Sequence, residues 1–123
     1  KVSPRKRKRQ REMETYAKRD ERIILMGYTS YLQYLRSPLW ATIRIRVYAS
    51  KGNECMACGV NRATSIHHMS YKLDVLRGKN IVPLFPVCEE CHLKIEFTPK
   101  GAKRSFVKSC VVSQRMLRLK GYV

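Results

Sequence analysis

Two sets of side chains in this 123-residue chain are of the kinds that bind metal ions or move protons. Cys55, Cys58, Cys88 and Cys91 form two Cys-x-x-Cys pairs, and the stretch "SIHHMSY" places His67 beside His68 between apolar neighbours. The third histidine, His92, follows Cys91 directly, and Glu96 stands four residues further on. Each Cys-x-x-Cys turn presents two thiolates to one ion, and two such turns complete a tetrahedron around zinc with Zn–S of about 2.3 Å. Gly59, just after Cys58, fits the sharp backbone turn of such a knuckle. A closed four-sulfur site has no vacant position, so a structural Zn2+ that holds the fold is expected, rather than a catalytic one. His and Glu at i and i+4 lie on one helical face and can chelate a second divalent ion. As a bare pair, His67 and His68 are equally readable as strand residues, one packed and one exposed. Glu96 is likewise readable as a surface partner of Lys94 or Lys100.

The charge balance narrows the partners. Against 26 Lys+Arg stand 9 Asp+Glu, a formal net charge of +17. On a chain this small such an excess repels itself unless a polyanion neutralises it, which points to nucleic acid. A membrane surface is the rival, but it calls for a basic amphipathic helix with a clean apolar face. The most basic segment, Lys1 to Arg11, is nearly devoid of apolar residues. The apolar runs fall short of the ~20 residues that span a bilayer, and "KVSPRKRKRQ" has no signal-peptide core. The expectation is an intracellular protein of cytoplasm, nucleoid or phage-infected cell, with the nucleus as an alternative address for the basic N-terminus. The start at Lys1 without an initiator Met is the expectation for a trimmed piece. Five cysteines, an odd number, argue for metal ligation in a reducing compartment over a disulfide framework.

The elements that must position these residues follow from caps and periodicity. Glu12 to about Met26 reads as a helix ending near Gly27. Thr29 or Ser30 caps a short helix through Leu35. Ser37 with Pro38 opens another that Gly52 closes, with Leu39, Trp40, Ile43 and Val47 toward the core and Arg44 and Arg46 elsewhere. Trp40 is expected as a core anchor in preference to a base-stacking platform. Ala63 to Met69 and Ile81 to Val87 read as the arms of a long hairpin joined by the polar loop "SYKLDVLRGKN". "HLKIEF" is helical until Pro99, and Pro99-Lys100-Gly101 is a turn. Ser105 to Lys120 is a final helix with a stripe of Phe106, Val107, Cys110, Val111 and Leu117, on which Cys110 is a buried thiol. The division is a basic arm and helix over 1–28 and a domain over 29–123, with its core at 39–97 and a C-terminal helix over about 105–120.

"CMACG", "IHHMSY", "LRGKNI" and "VCEECHLKIEF", preceded by "YLRSPLWATIRIRVYASKG", resemble an HNH endonuclease of the zinc-knuckle type, over about Tyr34 to Phe97. The resemblance implies an α+β fold: a ββα-metal finger stapled by the four cysteines and flanked by N- and C-terminal helices. It implies hydrolysis of DNA phosphodiester bonds with a catalytic divalent ion, Mg2+, Mn2+, Ni2+ or Zn2+. On the matching positions, His68 is the general base and His67 and His92 are ligands of that ion. Glu96 stands where many relatives place another histidine. A neutral imidazole suits proton abstraction at neutral pH, and an ion with few protein ligands keeps positions open for a phosphate oxygen and the leaving 3′ oxygen. Neighbouring strand residues face opposite ways, so His67 and His68 serve one site only if the strand twists, bulges or ends there. The chain departs from the family at its eponymous asparagine, nine residues before the last histidine, where Pro83 stands. Asn80 takes that role, bracing the loop of the general base, only if the second arm carries three extra residues; otherwise it is an ordinary loop residue.

The resemblance favours double-stranded DNA entered from the minor groove, by a monomer or a homodimer. Candidate contacts outside the motif are Arg5, Lys6, Arg7, Lys8 and Arg9 as an arm, Arg44 and Arg46, and Lys103 and Arg104 with Lys100 and Lys108. All are also readable as solvated or phosphate-binding surface. Two other functions compete with nuclease: a zinc-stabilised nucleic-acid-binding module without turnover, and a structural protein of a nucleoprotein particle.

Overall fold

The computed structural model describes residues 14–121; Arg5, Lys6, Arg7, Lys8 and Arg9 lie outside them. The fold is α+β, with six helices and one two-stranded antiparallel sheet among the described residues. In chain order they are α1 (Tyr16–Leu25), α2 (Tyr31–Leu35), α3 (Pro38–Lys51), β1 (Ser65–His68), α4 (Leu73–Leu76), β2 (Leu84–Val87), α5 (Glu89–Glu96) and α6 (Phe106–Leu119).

Side-chain caps set the helix starts. Thr15 Oγ1 accepts the Lys18 amide at 3.1 Å, Ser30 the Gln33 amide at 3.1 Å, Ser37 the Trp40 amide at 3.2 Å, and Ser105 the Lys108 amide at 3.2 Å. Each satisfies a donor the first turn leaves orphaned, worth about 1 kcal/mol. Cys88 caps α5 with its sulfur, accepting the Cys91 amide at 3.4 Å, so this helix begins at Glu89, three residues earlier than the sequence suggests.

The sheet pairs Ser65 with Val87, Ile66 with Pro86, His67 with Phe85 and His68 with Leu84. Both arms are shorter than the apolar runs that signalled them. A larger core contains Ile23, Tyr34, Trp40, Ile43, Val47, Ile66, Leu76, Leu84 and Phe106. A smaller one contains Cys55, Ala57, Val87, Cys88, Cys91 and Ile95, with Met116 against it. Each strand therefore gives residues to a core, and β2 gives to both.

Two expectations are corrected. The linker at 70–80 is not merely a polar loop. It folds into the helical turn α4, whose Val75 and Leu76 are buried in the larger core, and Tyr34 Oη donates to the Leu76 carbonyl at 2.6 Å. Gly78 lets this segment close on α3: its φ is +79°, and a Cβ there would stand 2.7 Å from Ile43 Cγ1. Arg46 donates to the Gly78 carbonyl across the same contact. On α6, Val111 leaves the expected stripe and is 61% exposed. Ser109 and Ser113 are buried instead, donating to the Phe106 and Cys110 carbonyls at 2.7 and 3.0 Å. Hydroxyls satisfied within their own helix can line a core as small residues do. No helix among the described residues is long and apolar enough to cross a membrane.

Candidate functional site

The sulfurs of Cys55, Cys58, Cys88 and Cys91 lie within 4.8 Å of one another. The first pair occupies the turn after α3, where Gly59 has φ +71° and its amide donates to the Cys55 carbonyl at 2.8 Å. The second pair begins α5. Backbone amides point at the sulfurs: Asn61 and Val60 donate to Cys58 Sγ, each at 3.5 Å, and Cys58 N donates to Cys55 Sγ at 3.5 Å. The Asn61 and Val60 amides draw the Cys58 thiol down to about 6. Burial works against ionisation of Cys88, but the Cys91 amide and the Asn61 carboxamide, 3.6 Å away, outweigh it and lower its pKa. Cys91 moves the other way, raised by burial and by the neighbouring sulfurs. Donors that favour thiolates beside sulfurs that crowd one another suit a cation-binding site. Four cysteines at this spacing and distance can hold a zinc ion.

A second group of ligand atoms lies elsewhere. One nitrogen each from His67 and His92 and one carboxylate oxygen of Glu96 also fall within 4.8 Å of one another. His67 comes from β1, while His92 and Glu96 are one turn apart on α5, with His92 Nε2 3.3 Å from Glu96 Oε1. The His67 and His92 ring centroids are 5.7 Å apart. His67 is 3% exposed, and its Nε2 is buried without a hydrogen-bond partner. Burial, with His92 adding to it, pulls its pKa down to about 4 and keeps the imidazole neutral, the form that ligates metal. Burial alone would raise the Glu96 carboxyl, but His92 and Lys103 hold it down at about 2. Lys103 Nζ is 3.2 Å from Glu96 Oε2, so Lys103, and not Lys94 or Lys100, is its lysine partner; Lys94 pairs with Glu90. Two imidazoles and a carboxylate suit a first-row divalent ion and leave most of its coordination sphere free. The orphaned His67 Nε2 is the observation that such an ion would satisfy.

His68 occupies a different environment. Its ring is sandwiched between Trp40, at 5.0 Å and 22°, and Tyr71, at 4.9 Å and 25°. Tyr31 Oη is 3.4 Å from Nδ1, and Nε2 is buried without a partner. Burial, then the charges of His67 and Arg19, lowers its pKa to about 3. His68 lines a cleft of about 470 Å3 together with His92, Glu96, Arg19, Arg44 and Lys103. The register shows no bulge at His67 and His68, and β1 ends at His68. Of the two, His68 lines the cleft with His92 and Glu96, and His67 is not among its lining residues.

The remaining expected residues scatter. Trp40 is 5% exposed, a core residue that also borders the cleft. Asn80 forms a local turn, its Oδ1 accepting the Val82 amide at 3.1 Å. It is not among the residues lining the cleft. Arg44 lines the cleft, whereas Arg46 is committed to Gly78. Arg104 borders a hollow beside Leu93 and Phe97, and Lys100 and Lys108 are exposed. Cys110 is half-buried, with Sγ 3.7 Å from the Met69 carbonyl and its thiol pushed up to about 11 by burial.

Two residues near the site, Arg19 and Lys51, carry no functional signal in the sequence. Arg19 lies with its guanidinium carbon 3.9 Å from the Tyr31 ring centroid and 5.4 Å from that of Tyr71. Lys51 places Nζ 3.1, 2.7 and 2.5 Å from the carbonyls of Ile81, Val82 and Leu84, and burial lowers its pKa to about 8. Neither sits at a motif spacing; Lys51, at the end of a helix that Gly52 caps, is the nearer to a local signal. No protein-family model matches the chain, and comparison with the curated proteins and with the solved structures gave no match.

Proposed function

We propose that this chain is a metal-dependent endonuclease of the HNH kind that hydrolyses phosphodiester bonds in double-stranded DNA. The observation that carries the reading is the convergence of His67, His92 and Glu96 beside the cleft that His68 lines, separate from the four-cysteine group. In this reading the cysteines hold a structural zinc, and the two histidines with Glu96 hold the catalytic divalent ion. That ion supplies Lewis-acid stabilisation of the charge that develops on the phosphate and the leaving 3′ oxygen.

The chain's own groups do the rest. Arg19, Arg44 and Lys103 line the cleft with one carboxylate, Glu96, among them, a balance that attracts a phosphodiester backbone. His68, neutral at pH 7, is the base for the proton of the attacking water. At about 3 it is a weak base as it stands, and the negative charge of a phosphate drawn into the cleft favours the imidazolium and strengthens it. Trp40 and Tyr71 keep the ring from turning away, which fixes the angle at which the water is met.

Nicking of supercoiled plasmid with Mg2+, Mn2+ or Ni2+ tests this. Wild type should cut, and His68→Ala should cut about 10²- to 10⁴-fold more slowly; equal rates would discard His68 as the base. A second reading, a binding module without turnover, draws on Pro83 at the place of the family's asparagine and on the Lys103 contact that occupies Glu96. DNA binding that persists while neither protein cuts would favour it.

A further inference from the structure

We infer that the Tyr31 hydroxyl is the positioning group of His68: it accepts a hydrogen bond from Nδ1–H and leaves Nε2 as the bare nitrogen. Its catalytic consequence rests on the nuclease reading; the placement of the proton does not.

The ring of His68 is held face-on by Trp40 and Tyr71, which fixes its plane but says nothing about its proton. In that plane only Nδ1 has a partner, Tyr31 Oη at 3.4 Å, while Nε2 is buried with none. A neutral imidazole carries one N–H, on one nitrogen or the other. Placed on Nε2, the N–H would be a buried donor with nothing to receive it, the costlier kind of orphan. Placed on Nδ1, it meets the Tyr31 oxygen and leaves a lone pair at Nε2. Tyr31 then turns its own proton toward the Tyr71 hydroxyl, with which it also interacts. The Arg19 guanidinium covers the Tyr31 ring and has donors only, so it does not compete to accept that proton.

The test is ¹⁵N NMR of His68 in the full chain, which distinguishes a protonated ring nitrogen from a bare one, combined with kinetics of Tyr31→Phe. The expected result is a protonated Nδ1 and a bare Nε2 in wild type. Tyr31→Phe should move population to the Nε2–H form and lower kcat on the order of 10-fold, with KM unchanged. A wild-type proton on Nε2 would overturn the inference, as would a Tyr31→Phe spectrum with the same tautomer as wild type. The wild-type spectrum decides even if the variant folds poorly. A wild type that holds Nδ1–H yet cuts DNA with none of Mg2+, Mn2+ and Ni2+ would sink the nuclease reading and leave the positioning role standing.

Discussion

The four cysteines and the trio of His67, His92 and Glu96 share one helix. α5 supplies Cys91 to the first group and, from the next residue and the next turn, His92 and Glu96 to the second. The two groups are nevertheless built on opposite plans. The cysteine group takes its ligands from two tight turns, surrounds them with backbone donors and packs them into a core of their own. The second group takes one ligand from a strand and two from a helix, and His92 and Glu96 border a cleft lined by cations. A site saturated by four protein ligands can only hold structure, whereas one with three leaves positions for substrate. Cys91 and His92 are adjacent on one helix, so fixing Cys91 also fixes where His92 points.

The largest effect that would break this comparison is on stability. Structural zinc in small domains contributes apparent binding energies of about 10 to 16 kcal/mol, so Cys88→Ser should abolish cooperative thermal unfolding, read by circular dichroism. His92→Ala, on a half-buried side chain, should leave a cooperative transition. If both variants melt alike, the cysteine group is not the structural one.

That difference in construction also decides what could be read in advance. The cysteine group is encoded in local spacing, and the caps at Ser30, Ser37 and Ser105 are likewise local, so each was legible. The convergence of His67 with His92 and Glu96 was an expectation from family resemblance, and the structure brings these three together. What surrounds His68 was not legible. Tyr31, Trp40 and Tyr71 come from three separate segments, and no periodicity relates them. The turn α4 escaped because four residues are too few to show a helical period, and Val75 and Leu76 are buried by contacts with distant helices.

On the histidine side, acid should act next most strongly. His67 and His68 have folded-state pKa values near 4 and 3, below the ordinary 6.5. The unfolded chain therefore binds protons first as pH falls. Their contribution is fully present above about 6.5 and is lost as pH drops toward 3, on the order of a few kcal/mol. Thiolates at the cysteine group fail in the same direction, so the quantity to measure is the difference in urea-unfolding free energy between wild type and His68→Gln from pH 7 to 4. A gap that narrows as pH falls supports the account; a constant gap refutes it for His68.

The smallest effect sharpens the comparison along β2. Its C-terminal end leads into Cys88 of the four-cysteine group; its N-terminal end is held by Lys51, whose ammonium meets three carbonyls at 81, 82 and 84. Lys51→Met strands those acceptors and should cost about 2 kcal/mol. Hydrogen exchange should rise at Met69, whose amide bonds to the Pro83 carbonyl at 2.8 Å, more than at Met56, which bonds to Pro86 at 2.9 Å. Equal loosening at both ends would show that Lys51 does not serve the histidine end in particular.

We propose that one helix, α5, serves two metal sites of different kinds. The most direct measurement is anomalous diffraction from crystals of the zinc-loaded protein soaked in Mn2+. The account predicts a zinc signal among the four cysteines and a separate manganese signal among His67, His92 and Glu96, with Lys103 displaced from the carboxylate. A zinc signal alone, with Glu96 still on Lys103, would contradict it.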